Sequence, residues 1–260
     1  MTPEGSRRPG FFWVVSDIVM NENTEWWQEF FTRAWGEIQA QGYPVEQTGK
    51  EVDFLVSALA LGRMDQVLDV ACGIGQHSIE LARRGYDATG IDFNRSALDI
   101  AARSAFDAGV QPRFVELDMR QLEAHESYDA AFSYWTSFGY FSDEKNLDVA
   151  SRIAAALKPG GRLLIDTLVT ESLFPVFRQR HWAWADQARA VRMLQECTWE
   201  PMDGRVETAH SSLRVYSYRE LHALLATAGF CSFRGLVTGT DEPFGLGSAR
   251  LSLVAQKADG

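Results

Sequence analysis

An acid and two glycines follow a short apolar run at residues 67–77, and their spacing fits a turn that holds a nucleotide cofactor. The run reads VLDVACGIGQH, with Asp69 four residues before Gly73. Glycine lets the backbone approach a ligand closely, and the helix that follows offers its free N–H groups to that ligand. The stretch therefore predicts a strand, a Gly-x-Gly turn that cradles a small cofactor, and a helix over residues 76–84.

The third position of this turn argues against a dinucleotide. A dinucleotide fingerprint has a third glycine where this chain has Ser78. The carboxylate of Asp69 would also repel a diphosphate, whereas it would attract an amino group. An NAD-dependent oxidoreductase is therefore the weaker interpretation, and a nucleoside that carries an amino acid fits better.

Two further acids follow predicted strands. Residues 88–91 lead to Asp92, whose carboxylate can accept hydrogen bonds from both hydroxyls of a ribose, and residues 113–116 lead to Asp118 and Met119. An acid beside an apolar side chain suits the amino group and the ring of adenine. Because ligands of open α/β sheets bind beyond the carboxyl ends of the strands, we expect these residues to line one site.

Five motifs in this order resemble those of the class I S-adenosylmethionine-dependent methyltransferases, over roughly residues 50–257. They read VLDVACGIG, TGIDFN, FVELDMRQL, YDAAFSYWTSFGYF and LKPGGRLLID. The resemblance implies S-adenosyl-L-methionine as the cofactor, bound by Asp69, Ala71, Gly73, Gly75, Asp92, Phe93, Asp118, Met119 and Ser133. The family often has glycine where this chain has Ala71, and we expect alanine to fit there if its φ is negative.

The aromatic stretch after the fourth predicted strand is the expected acceptor site. Four of its side chains are predicted to face the methyl group of the cofactor, where flat rings attract a cationic sulfonium: Tyr134, Trp135, Phe138 and Tyr140. The alternative is that these rings only fill space under a lid. The stripe of Trp27, Phe31 and Trp35 leaves the same choice, and for these three we favour a place in the core.

The resemblance implies in-line methyl transfer to a nitrogen or oxygen of a small molecule, nitrogen being preferred, as in the tailoring of secondary metabolites. Alignment of reactants supplies roughly 7–11 kcal/mol, whereas a general base supplies a factor of about 10² to 10⁴, or roughly 3–5 kcal/mol, so the lack of an obvious base is tolerable. His181 is the histidine to test as a base, and His77 is expected near the cofactor. Two alternatives stay open: a non-catalytic protein that binds the cofactor, and transfer of another group from a related nucleoside.

Three polar side chains near the site have simpler interpretations than catalysis. Asp166 and Arg214 are left without a catalytic role, because an acid–arginine pair that ties the flap to the sheet is the plainer explanation. Cys72 lies inside the cofactor turn, but no histidine or acid at a suitable spacing marks it as a nucleophile. We therefore leave Asp166 and Arg214 unassigned and expect Cys72 to be structural.

The elements around these residues predict an α/β fold, a Rossmann-like, doubly wound sheet of seven mostly parallel strands. We expect a tail and helical cap at residues 1–49, with a helix over 22–39, and a methyltransferase domain at 50–260. Residues 190–200 and 206–213 flank Asp203-Gly204 and predict an antiparallel flap within 168–216, inserted over the acceptor pocket. Further helices are expected at 50–61, 95–106, 143–157 and 218–228, and further strands at 162–167, 230–237 and 250–256.

Composition narrows the class of partner. A net charge of −10 argues against nucleic acid, whose phosphates attract clustered lysine and arginine. Three scattered cysteines indicate neither a disulfide framework nor a metal site. No long apolar run and no signal-peptide pattern is present, so we expect a soluble, cytoplasmic protein without a membrane partner. Self-association stays open.

Overall fold

The computed structural model describes residues 12–14, 25–31, 36, 39–40, 44–173, 182–185, 190–199 and 207–259. Its strands are, in chain order, β1 Phe12–Val14, β2 Gln66–Val70, β3 Asp87–Asp92, β4 Arg113–Glu116, β5 Tyr128–Ser133, β6 Leu157–Thr167, β7 Trp182–Ala185, β8 Ala190–Trp199, β9 Glu207–Arg214, β10 Phe230–Val237 and β11 Leu251–Lys257. Its helices are α1 Trp26–Phe30, α2 Val45–Ala58, α3 Gln76–Arg83, α4 Arg95–Asp107, α5 Asp143–Ala156, α6 Thr170–Leu173 and α7 Tyr218–Thr227, with a 3₁₀ turn at Met119–Gln121.

Seven of these strands form one sheet in the order β10-β11-β6-β5-β2-β3-β4. The five strands from β6 to β4 are parallel, while β11 runs antiparallel to both β6 and β10. The chain winds outward from β2 to β4 and then returns to the other side with β5 and β6. This order confirms the predicted doubly wound sheet, and it places the switch point between β2 and β5, where such sheets bind ligands.

The core lies on both faces of this sheet, because successive side chains of a strand point to opposite faces. Leu68 and Val70 of β2 belong to the cluster that includes side chains of α5 and α7. Val67 and Phe132 belong to the cluster on the other face, with side chains of α2. Both faces are therefore covered, as the near-continuous apolar character of these strands predicts.

A second, antiparallel sheet forms the flap. Strand β8 pairs with β9 from Arg192↔Arg214 to Trp199↔Glu207, close to the predicted hairpin. The structure adds two strands that the sequence does not predict: β7 and β1 pair with successive parts of β8, both along the edge opposite β9. The predicted turn at Asp203-Gly204 lies outside the described residues.

Three predicted boundaries are wrong. Helix α2 begins at Val45 and not at residue 50. The single helix expected over residues 22–39 is interrupted, since α1 ends at Phe30 and the next residue, Phe31, has a φ of −88° and a ψ of 67°. Tertiary packing decides this end, because Trp26, Trp27 and Phe30 are all buried around one short turn. The strand expected from residue 162 already begins at Leu157 and bulges between the pairs Tyr128↔Leu157 and Ala130↔Arg162.

Four helices begin at their predicted positions for local reasons: α3, α4, α5 and α7. Asn94 caps α4 by accepting hydrogen bonds from the N–H groups of Ser96 and Ala97. Ser217 caps α7 in a reciprocal arrangement with Glu220. No helix within the described ranges is long and apolar enough to cross a membrane.

Candidate functional site

A cavity of about 690 Å³, part of it open to solvent, lies at the carboxyl ends of β2, β3, β4 and β5. The residues that line it come from four strand tips and from the N-terminal segment: Trp27, Phe31, Gly36, Gln39, Ala71, Gly73, Ile91, Asp92, Phe93, Asn94, Ala97, Leu117, Asp118, Met119, Ser137, Tyr140 and Phe141. Seven of the predicted site residues are therefore brought together: Ala71, Gly73, Asp92, Phe93, Asp118, Met119 and Tyr140.

Asp92 is the buried acid at the tip of β3. Its Oδ2 accepts a hydrogen bond from the N–H of Gly73 at 2.8 Å, and its Oδ1 accepts one from the N–H of Asn94 at 2.8 Å. Burial raises the pKa of Asp92, and these two N–H groups lower it in part. Each carboxylate oxygen can accept a second hydrogen bond, so Asp92 can also receive hydroxyls of a ligand.

The two glycines of the turn have different physical roles. Both have positive φ, 54° at Gly73 and 71° at Gly75. A Cβ on Gly75 would lie 2.5 Å from the ring of Phe114, whereas a Cβ on Gly73 would meet nothing nearer than Gln39 Oε1 at 3.7 Å. Gly75 is therefore required by packing and does not line the cavity, while Gly73 is the glycine that faces it.

Ala71 departs from the expectation of a negative φ. Its φ is +61°, in the left-handed region where a Cβ is strained. The chain must leave β2 sharply here, because the N–H of Cys72 still bonds the carbonyl of Ile91 at 3.0 Å while Gly73 already faces the cavity. Alanine at this position costs roughly 1–2 kcal/mol relative to glycine.

Asp69, which the family resemblance places at the methionine part of the cofactor, does not line the cavity. It is buried under the turn, where Oδ2 accepts a hydrogen bond from the hydroxyl of Ser78 at 2.8 Å. Burial raises the pKa of Asp69 to about 6, although His77 and Ser78 lower it in part. Ser78, at the third position of the glycine pattern, is thus the partner of this acid.

His77, which is expected near the cofactor, is absent from the cavity lining. Its Nε2 lies 2.8 Å from Oε2 of Glu51 on α2. Its ring packs 5.0 Å from the ring of Tyr134 and 5.9 Å from that of Phe132, measured between centroids. His77 therefore joins α2 and α3 to the far face of the sheet. His181, the other histidine singled out, lies outside the described residues.

Asp118 and Met119 follow β4 and line the cavity, but the Asp118 carboxylate already has a partner. Oδ1 accepts hydrogen bonds from the backbone N–H and Nε of Arg120, at 2.9 and 3.1 Å. Burial raises the pKa of Asp118, but the hydrogen bonds from Arg120 outweigh it and hold the pKa below its ordinary value. An adenine amino group at Asp118 would therefore share the carboxylate with Arg120.

Of the four predicted acceptor-site aromatics, only Tyr140 lines the cavity. Its ring stacks on Phe31 at 5.6 Å and meets Trp26 edge-on at 5.0 Å. Tyr134 is buried against His77, and Phe138 packs near Tyr216 in the core. Burial raises the pKa of the Tyr140 phenol, so it is present as a hydroxyl at neutral pH.

Trp135 is exposed to 47% and lies under Arg250, whose guanidinium carbon is 5.3 Å from the ring centroid. Trp135 and Thr136 have φ of +57° and +62°, so a left-handed turn precedes Ser137, which lines the cavity. Ser133 is also absent from the lining, and its buried Oγ has no hydrogen-bond partner among the described atoms.

The described residues of the N-terminal aromatic stripe, Trp27 and Phe31, belong to both the core and the cavity wall. Trp27 is buried and Phe31 is partly buried, and both line the cavity. Trp35 lies outside the described residues. Two further cavity residues in the aromatic loop, Ser137 and Phe141, are not among the predicted site residues, although both stand in the quoted motif.

Asp166 and Arg214 do not pair with each other, so the predicted link between flap and sheet is wrong. Asp166 pairs with Arg250 at 2.6 Å and accepts the N–H of Trp135 at 3.0 Å. Arg214 pairs with Asp143 and Glu220, which ties the flap to α5 and α7 instead. Cys72 is structural, as expected, since burial raises the pKa of its thiol well above the ordinary range.

Comparison with known proteins identifies methyltransferases that are similar to this chain. Residues 67–161 match a family described as a methyltransferase domain. The chain is 27% identical to the putative methyltransferase YqeM of Bacillus subtilis over 218 residues, which cover 76% of this chain and 87% of YqeM. It spans about half the length of several other curated methyltransferases that it matches.

Solved structures share the fold at low identity. The CcbJ methyltransferase from Streptomyces caelestis aligns with a TM-score of 0.71 at 16% identity, covering 88% of this chain and 98% of CcbJ. The S-adenosylmethionine-bound CalS10 from Micromonospora echinaspora, an amino pentose methyltransferase, aligns with a TM-score of 0.59 at 20% identity, covering 87% and 97% of the two chains. At these identities the similarity establishes the architecture alone.

Proposed function

We propose, from the premise that this chain belongs to the class I S-adenosylmethionine-dependent methyltransferases, that it methylates a nitrogen or oxygen of a small molecule by in-line displacement. Nitrogen is the preferred acceptor atom. The observation that carries the proposal is the convergence of Gly73, Asp92 and Met119 on one cavity whose far wall is aromatic. These residues come from three different strand tips, which is the arrangement that a nucleoside needs.

The residues fit S-adenosyl-L-methionine by their chemistry. Asp92 has lone pairs for two ribose hydroxyls, and Gly73 leaves its side of the turn open. Apolar groups of Phe93, Leu117 and Met119 offer a surface for the adenine ring. Bound in this cavity, the cofactor supplies an electrophilic methyl group and a thioether leaving group.

The protein's part in the reaction is alignment and electrostatics. Tyr140 and Phe31 present aromatic rings to the cavity, and such faces attract a sulfonium by about 0.5–2 kcal/mol. Asp92 and Asp118 are the charged residues in the described lining, and both are acids. Negative potential at the site favours a cationic cofactor and disfavours anionic acceptors.

The preference for nitrogen follows from the cavity lining. Within the described part of the chain, the lining contains no histidine, lysine or cysteine that could act as a base. A neutral amine can attack without one, whereas a hydroxyl of high pKa gains from proton removal. The amino pentose named for CalS10 is an acceptor of this kind. We propose a cytoplasmic role in secondary metabolism, with no nucleic acid as substrate.

Isothermal titration with S-adenosylmethionine and S-adenosylhomocysteine tests the cofactor. We expect the wild type to bind both ligands and Asp92→Ala to bind about 100-fold more weakly, because two hydrogen bonds to a charged acceptor are lost. Asp148→Ala, which removes an exposed acid on α5, is the matched control and should bind like the wild type. Equal affinities for wild type and Asp92→Ala would refute the assignment.

The acceptor needs a separate experiment. Incubation with the cofactor and a panel of amines, amino sugars and phenols, read by mass spectrometry, should give a product heavier by one methyl group. A larger mass increase would favour transfer of another group from a related nucleoside. Tight cofactor binding without turnover on any acceptor would favour a non-catalytic binding protein.

A further inference from the structure

Arg120 connects three segments around the cavity without lining it. Its guanidinium donates to both carboxylate oxygens of Glu25, with Nη1–Oε1 at 2.8 Å and Nη2–Oε2 at 3.0 Å. It also donates to Asp118, with Nε–Oδ2 at 3.0 Å. Glu25 immediately precedes α1, whereas Asp118 follows β4, so one cation joins the N-terminal cap to the sheet. The two-pronged geometry is one that arginine provides and lysine does not.

The same guanidinium lies against two aromatic rings of the cavity wall. Its central carbon is 4.9 Å from the ring centroid of Trp27 on α1 and 4.8 Å from that of Phe141 in the loop after β5. These two rings also meet edge-on, with centroids 4.8 Å apart. We call Arg120 with Glu25, Trp27, Asp118 and Phe141 the cap bridge.

The cap needs such a bridge because α1 is short. It has five residues, and no side chain caps its first turn. An isolated helix of this length is unstable, so its position depends on contacts with the rest of the protein. Trp27 and the following Phe31 line the cavity opposite the strand tips, and a nucleoside held at Asp92 would lie between them and the sheet. The mobility of the cap therefore affects how fast that nucleoside exchanges through the part of the cavity that is open to solvent.

We propose that Arg120 is a positioning residue that sets the exchange rate of the nucleoside cofactor by holding α1 over the cavity. The inference rests on the proposed function, since it assumes that the cofactor binds in this cavity. Arg120 touches neither the cofactor nor the acceptor in this scheme. Arg120 contacts the cap through Glu25 and Trp27. It contacts the rest of the cavity lining through Asp118, which follows β4, and Phe141, which lies in the loop after β5.

Release of S-adenosylhomocysteine, followed by stopped-flow tryptophan fluorescence, tests the cap bridge. We expect Arg120→Gln to release the ligand about tenfold faster, because an ion-pair network and two cation–π contacts are lost. Glu25→Gln should accelerate release by a smaller factor. The double variant should release no faster than Arg120→Gln, because Glu25 acts through Arg120. Arg83→Gln, which breaks the pair of an exposed arginine with Glu80 at 3.8 Å on α3, is the matched control.

Salt provides a readout that a merely structural role would not change. Raising the ionic strength should accelerate release from the wild type, since the Arg120–Glu25 pair is partly exposed, and should have little effect on Arg120→Gln. If Arg120→Gln does not fold, Glu25→Gln carries the test, because this side chain is 41% exposed.

The outcomes separate the two proposals. A wild type that binds no S-adenosylhomocysteine overturns the proposed function and the cap bridge with it. A wild type that binds, together with Arg120→Gln and Glu25→Gln variants that release at the wild-type rate, overturns the cap bridge alone. Faster release in both variants, non-additive in the double variant, supports it.

Discussion

Asp69 is expected to hold the methionine part of the cofactor, but its side chain does not line the cavity. Its carboxylate is buried beneath the turn and accepts the Ser78 hydroxyl, so it supports the start of α3. Burial without a full counter-charge makes the ionised form unfavourable, which is why the pKa is raised to about 6. At neutral pH the folded protein therefore holds a carboxylate that destabilises it, and this cost can be measured.

Replacing Asp69 with asparagine should stabilise the protein at pH 8 by about 2–3 kcal/mol, because asparagine keeps an acceptor for Ser78 without a charge. The folded-state pKa lies above the unfolded value, so between pH 4 and pH 6 the native state binds the extra proton. Wild-type stability is thus lost as the pH rises through about 4–6, a loss that Asp69→Asn should lack. Urea unfolding of both proteins at pH 4, 6 and 8 measures the difference, and a gap that is constant with pH would contradict the prediction.

At the scale of elements, the turn after β5 is the strained part of the site. Trp135 and Thr136 are consecutive non-glycine residues with positive φ, an arrangement that costs of order 1–3 kcal/mol for each residue. Asp166 at the tip of β6 holds this turn: its Oδ2 accepts the N–H of Trp135, and its carbonyl accepts the N–H of Thr136 at 3.0 Å. Arg250 neutralises the carboxylate and also donates to the hydroxyl of Thr136 at 2.7 Å. Residues in β6 and immediately before β11 therefore fix the position of the loop that carries Ser137 and Tyr140.

Asp166→Ala should destabilise the fold by about 2–4 kcal/mol, because it leaves Arg250 and the N–H of Trp135 without their acceptor. The affinity for S-adenosylhomocysteine should change less than the rate of methyl transfer, since Asp92 and Gly73 lie on other strands. Chemical unfolding, titration calorimetry and turnover measure the three quantities. Asp166→Asn keeps an acceptor, so its stability should lie between those of the wild type and Asp166→Ala. An Asp166→Ala variant as stable as the wild type would rule out that Asp166 holds the turn after β5.

At the scale of the molecule, the cavity joins segments that are distant in sequence. Its walls come from the N-terminal cap, from the tips of β2, β3 and β4, and from the loop after β5. The flap reaches the same loop, since Arg192 donates to the carbonyls of Tyr140 and Phe141 at 3.3 and 3.2 Å. A ligand in the cavity would contact several of these segments at once, so its binding energy should stabilise the whole fold.

Saturation with S-adenosylhomocysteine should raise the unfolding temperature. At a free ligand concentration of 100 times Kd the stabilisation is about 2.7 kcal/mol, which corresponds to roughly 5–10 °C for a chain of this size. Differential scanning calorimetry with and without ligand measures the shift. Asp92→Ala at the same ligand concentration should show a much smaller shift, and an unchanged wild-type transition would count against a ligand site in this cavity.

Local sequence patterns were sufficient for the order of the elements in the seven-stranded sheet, but they did not predict β1 and β7 of the flap. The alternation of apolar runs with helical stretches, the glycine turn and the acids at strand ends are local signals, so the sheet, its direction and the tip residues Gly73, Asp92 and Met119 could all be predicted. Parallel strands then bring their carboxyl ends together by geometry alone.

The tertiary structure decided which of those side chains reach the cavity. Asp69 is buried beneath the glycine turn, and His77 packs against Tyr134 on the far face of the sheet. Asp166 pairs with Arg250 and not with Arg214. The cap bridge around Arg120 joins residues 95 positions apart. The physical reason is that local propensity sets the backbone of each element, whereas the facing of a side chain depends on burial and on partners that only the packed chain supplies.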